Sequence, residues 1–75
     1  MLHRKSKVEY GEGGRPRIGD DVRIEDKLHL LHGAEGVLTD VKFDPRGAPK
    51  DAFVRRFGIG VSKVPYVALV KMGGK

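Results

Sequence analysis

The sequence predicts an all-β fold: a small barrel of about five short strands behind an extended N-terminal arm. Three observations carry this expectation. Apolar and polar residues alternate over several short stretches, the period of half-buried strands. Turn residues (Gly, Pro and Asp) punctuate those stretches at roughly strand-length intervals. An open sheet of so small a chain would expose long unpaired edges, so closure is expected.

Residues 1–17 read as a basic flexible arm. Arg4, Lys5, Lys7, Arg15 and Arg17 face only Glu9 and Glu12 there. Lys7-Val8-Glu9-Tyr10 alternates and would form a short strand if something paired with it. Gly11-Glu12-Gly13-Gly14 is a flexible link, and Pro16 holds Arg15 extended.

The barrel is expected over residues 18–72, with 73–75 as a tail. Gly19-Asp20 turns the chain into a first strand with Val22 and Ile24 on one face. Asp26–Gly33 reads as a loop with a helical turn, its leucines (Leu28 and Leu31 on one face) tucked under the barrel. The second strand is Gly36–Phe43, with Val37, Val41 and Phe43 of one parity and Leu38 of the other. Asp44-Pro45-Arg46-Gly47 is a turn, and 48–51 lengthen the connection. Ala52–Ile59 is the third strand. Arg55-Arg56-Phe57 makes a second basic cluster in which Phe53 and Phe57 would support stacking on bases, against the expected reading of both rings as core. Gly58 and Gly60 mark a bend, a bulge or a close backbone crossing. Val64–Met72 is the last strand region, with Pro65 starting it at an edge.

Composition bounds the function. Seventy-five residues make one domain with a thin core, since a chain this short buries only roughly 60% of its unfolded surface. There is no cysteine to form a disulfide or a thiolate–metal staple. Barrel closure, homo-oligomerisation or docking onto a larger body remain as sources of burial. No run approaches the ~20 apolar residues of a membrane helix, and no apolar segment follows the basic start that would make a signal peptide. The cytoplasm, or a virion assembled there, is the expected location. A net charge of +5, concentrated in the arm, suits a polyanionic partner.

Gly19-Asp20-x-Val22-Arg23-Ile24 followed by Gly33-x-x-Gly36-x-Leu38-x-x-Val41 resembles the opening of a KOW-type, SH3-like small β-barrel. The match covers residues 19–43, about a third of the chain. The resemblance implies the barrel fold and a glycine loop facing RNA or protein. Nucleic-acid-binding relatives carry lysines around those glycines. Here the positions hold Ala34, Glu35 and Val37, and Glu35 repels phosphate. The expected contact therefore moves to the arm and the third strand.

The expected function is non-catalytic binding, with RNA ahead of DNA. Arg4, Lys5, Lys7, Arg15 and Arg17 would lie along phosphates, and Lys42, Arg46, Lys50 and Arg56 would extend the contact. The alternative is an accessory subunit of a virion (capsid or head–tail neck) or another large protein complex. There the arm would dock on a neighbour, with Val8, Tyr10, Leu30 and Tyr66 as contacts. Tyr10 and Tyr66 read as half-buried rings with hydroxyls in water. Ser6 and Ser62 sit in no nucleophile elbow, and the adjacent carboxylates diverge, so no catalytic set is expected. His29 and His32, flanked by Asp26 and Glu35, would hold a metal only on a helix; loop histidines are the expectation. Neither Gly11-x-Gly13-Gly14 nor Gly58-x-Gly60 has the strand–helix context of a phosphate loop. No metal or cofactor is expected.

Overall fold

The computed structural model describes residues 10–72. Five strands follow in chain order: β1 (Asp21–Ile24), β2 (Glu35–Phe43), β3 (Pro49–Arg56), β4 (Gly60–Pro65) and β5 (Leu69–Lys71), with a 3-10 turn at Tyr66–Ala68 before β5. They form one antiparallel sheet in the order β4-β3-β2-β1-β5. Among the described residues no helix is long and apolar enough to cross a membrane.

The sheet must curl. Laid flat, β4 and β5 would stand four strand spacings apart, about 19 Å. Only Tyr66–Ala68 join them, and the four steps from Pro65 to Leu69 reach about 14 Å at full extension. The concave face holds the core: Val22, Ile24, Leu38, Val41, Ala52, Val54, Val64, Tyr66, Ala68 and Leu69.

The expected closure is not present. No ladder joins β4 to β5 among the described residues, so the sheet is open. The expected last strand, Val64–Met72, is the reason. It breaks after Pro65 into the 3-10 turn, which leaves β5 only three residues long. The turn buries Tyr66 and Ala68 and prepares Leu69 to point inward.

Strand β2 departs from simple alternation. Leu38 pairs with Val54 and Asp40 with Phe53, so Thr39 is an extra, bulged residue. Its hydroxyl donates to the Phe53 carbonyl at 3.0 Å. The bulge reverses the parity, and Leu38 and Val41 both face the core although three residues apart. Val37, expected to share the face of Val41, is therefore turned outward. Strand β3 starts at Pro49 and ends at Arg56, earlier at both ends than expected. Phe57–Ile59 form the hairpin turn instead, so Phe57 is fully exposed (100%) rather than in the core, and Phe53 is half-buried on the outer face.

The two hinge glycines have different reasons. Gly33 has φ +90°, a conformation open to glycine. A side chain on Gly36 would collide with the Arg55 carbonyl and stand 2.7 Å from Val54 Cγ1. Gly36 is needed so that β2 can cross close over β3, not for a left-handed backbone.

Candidate nucleic-acid interface

The N-terminal segment is tied to the sheet by two tyrosines. Tyr66 follows Pro65 at the corner where the sheet folds round, and its ring is 1% exposed. Its hydroxyl donates to the Pro16 carbonyl at 2.6 Å and accepts from the Gly11 amide at 3.1 Å. The Tyr10 hydroxyl accepts from the Ile18 amide at 2.7 Å. The Tyr10 ring meets Phe43 edge-on (centroids 5.7 Å apart) and lies 6.1 Å from the Tyr66 ring. The Tyr66 hydroxyl is not left to water, contrary to expectation. Tyr66 has no surface for the assembly contact expected of it, because its ring is core and its hydroxyl is fully used.

Two arginines ride on this anchored segment. Arg15 closes a turn by donating its amide to the Glu12 carbonyl at 3.0 Å. The Arg17 guanidinium lies over Gly11, whose carbonyl accepts from it at 3.5 Å; a Cβ on Gly11 would stand 2.6 Å from Arg17 Nε. The Arg17 amide donates to the Asp20 carboxylate at 2.9 Å. Both arginine side chains remain exposed. Burial holds the Tyr66 phenol above its ordinary pKa of 10.0, and the charges of Arg15 and Arg17 pull the other way.

The turn between β2 and β3 supplies the second basic group. Asp44 organises it: one carboxylate oxygen accepts from the Arg46 and Ala48 amides, each at 2.9 Å. The Ala48 amide bond is the chief reason its carboxyl stays below the ordinary value of 3.8. Gly47, at φ +90°, completes the turn. Lys42, Arg46 and Lys50 project from it into solvent.

The contact between Tyr10 and Phe43 brings these two groups to one end of the sheet. The ion pairs of the described residues join Arg23 to Glu25 and Glu35, and Lys71 to Asp20. Arg15, Arg17, Lys42, Arg46 and Lys50 take part in none of them. Phe43, half exposed at 50%, lies between the groups.

Comparison with protein-family models, curated proteins and solved structures gives no match.

The structure separates Arg56 from the other expected contacts. It is six residues beyond Lys50 on β3, about 20 Å along the strand, and its guanidinium donates to Ser62 Oγ at 3.4 Å. Arg4, Lys5, Lys7 and Val8 lie outside the described residues. The loop leucines are not tucked under the sheet: Leu28 is 97% and Leu30 99% exposed, and Leu31 alone of the three packs on the core. His29 and His32 sit in successive turns, and each Nδ1 accepts a backbone amide at 3.0 Å, from Leu31 and Asp26 respectively. On the outer face Val37, Arg55 and Phe57 line a shallow groove, although the sequence suggests a core place for Phe57. The Phe57-Gly58-Ile59-Gly60 spacing was the available signal, since alternating glycines fit a tight hairpin better than a strand interior.

Proposed function

We propose that this chain is an SH3-like, non-catalytic module that binds nucleic acid, RNA in particular, through the basic end of its sheet within a larger assembly in the cytoplasm or a virion. The strand order β4-β3-β2-β1-β5, with a 3-10 turn before β5, supports the fold part of this reading. The observation that carries the binding part is the tyrosine anchor. Tyr66 and Tyr10 hold Arg15 and Arg17 against the end from which Lys42, Arg46 and Lys50 project. Five exposed cations fixed on a folded surface lose less freedom on binding than five on a free tail. The mechanism is charge neutralisation with release of counterions.

The test is a salt titration of RNA binding to the full chain. Five phosphate contacts give a log–log slope near −3.5 for single strands, at about 0.7 per contact. Binding that is absent at low salt, or indifferent to salt, overturns the reading.

A second reading has its own observation. Leu28 and Leu30 stand almost completely exposed on the β1–β2 loop, which suits a protein neighbour in a virion or other large complex. Leu28→Ser with Leu30→Ser would then abolish co-assembly and leave RNA affinity unchanged.

A further inference from the structure

The outer face of the sheet carries a second, differently built surface. Register pairs Asp21 with Val37, Val37 with Arg55, and Arg55 with Val61. Cross-strand partners share a face, so these four side chains form one row across β1, β2, β3 and β4. Phe57 rises at the end of β3 beside that row, fully exposed. Between Phe57 and the row lies an open groove of about 340 Å³, with Gly36 and Val37 in its lining, Arg55 and Phe57 on one side and Asp21 and Glu35 on the other.

We infer that this groove takes an unpaired base of a single-stranded nucleic acid, stacked on Phe57, with Arg55 on the adjoining phosphate. The inference rests on the nucleic-acid reading above and adds a second contact, on a different face, with a different selectivity. Charge complementarity selects this occupant. Arg55 and Lys63 stand exposed on β3 and β4 and join no carboxylate among the described residues. A duplex backbone would run its phosphates across Asp21 and Glu35. A single base avoids that penalty. Its flat face covers the Phe57 ring, its phosphate meets Arg55, and its N–H groups face the carboxylate wall. Stacking on an aromatic ring is indifferent to base identity, so little sequence preference is expected.

The chain contains no tryptophan, so Phe57→Trp places a single indole in the groove. Titration of this variant with a single-stranded RNA oligonucleotide should quench the indole as bases stack on it. Titration with the corresponding duplex should leave the indole unquenched. In anisotropy measurements Phe57→Ala should lower single-strand affinity about five-fold or more and leave duplex affinity unchanged, with Phe57→Trp restoring it. Phe57 buries nothing, so these variants do not put folding at stake. Salt-dependent binding with no quenching and no effect of Phe57→Ala would overturn the groove assignment and leave the basic end standing. Absence of binding to either RNA form would overturn both. If Phe57→Ala changes only sedimentation, the occupant is a second copy of the chain and the assignment is wrong.

Discussion

The Tyr66 hydroxyl donates to the Pro16 carbonyl at 2.6 Å, joining residues 50 positions apart in the chain. This bond turns what reads as a loose basic arm into a structured edge of the domain, at least from Tyr10 onward. A buried phenol and a buried proline carbonyl satisfy each other, and the Gly11 amide takes the hydroxyl's remaining acceptor capacity.

Tyr66→Phe removes both bonds and keeps the ring. Two backbone groups lose their partner, so the expected cost is about 1–3 kcal/mol, read as a lower urea midpoint with an unchanged slope. Trypsin should also cut faster after Arg17 in this variant, because the segment opens locally. An unchanged midpoint together with unchanged cleavage would show that the anchor contributes nothing.

The same phenol gives the domain an alkaline limit. Its folded-state pKa is raised above 10.0, chiefly by burial. The folded state therefore holds the proton more tightly, and the stabilisation is complete below the unfolded pKa. It is lost as pH rises from about 10 through the folded value. Asp44 works in the opposite sense at the acid end. Its lowered pKa gives stability that is present above the ordinary carboxylate value and lost as pH falls below it. Thermal melts across pH should show both limbs. Tyr66→Phe should flatten the alkaline limb and Asp44→Asn the acid limb.

Gly36→Ala should be more damaging than Gly33→Ala. At Gly36 the new methyl group meets backbone, the Arg55 carbonyl, which cannot rotate away. Strands β2 and β3 must separate, at about 1–3 kcal/mol or more. At Gly33 nothing lies within 4 Å of an added Cβ, and the cost is the left-handed strain alone, about 1–2 kcal/mol. Equal destabilisation of the two variants would contradict the close strand crossing.

Arg15→Ala with Arg17→Ala should lower RNA affinity and make the log–log salt slope shallower by about 1.4, two contacts at about 0.7 each. Arg56→Ala should change the slope much less, since that guanidinium is held by Ser62 on the far part of β3. A double arginine variant with the parent slope would remove the basic end from the binding surface.

Much of this fold is legible in the sequence because it is set by local rules. The alternation of Val22 and Ile24, the Asp44–Gly47 turn and the need for glycine at position 33 each depend on a few neighbouring residues, whereas the reason for glycine at position 36 lies with Arg55 on another strand. The candidate site is less legible. Arg15, Arg17, Lys42, Arg46 and Lys50 are visible as basic residues, but their common location follows from the Tyr10–Phe43 and Tyr66–Pro16 contacts. These join distant parts of the chain, and no local pattern encodes them.

By itself the sequence determined an all-β domain with its glycine hinge and its excess of positive charge. Tertiary structure decided the rest. The bulge at Thr39 reversed the side-chain parity of β2, because register belongs to a pair of strands and not to one. The 3-10 turn at Tyr66–Ala68 broke the expected last strand and left the sheet open. The burial of Tyr66, which a half-polar side chain does not announce, drew residues 10–18 onto the sheet and so decided where two of the arm's cations stand.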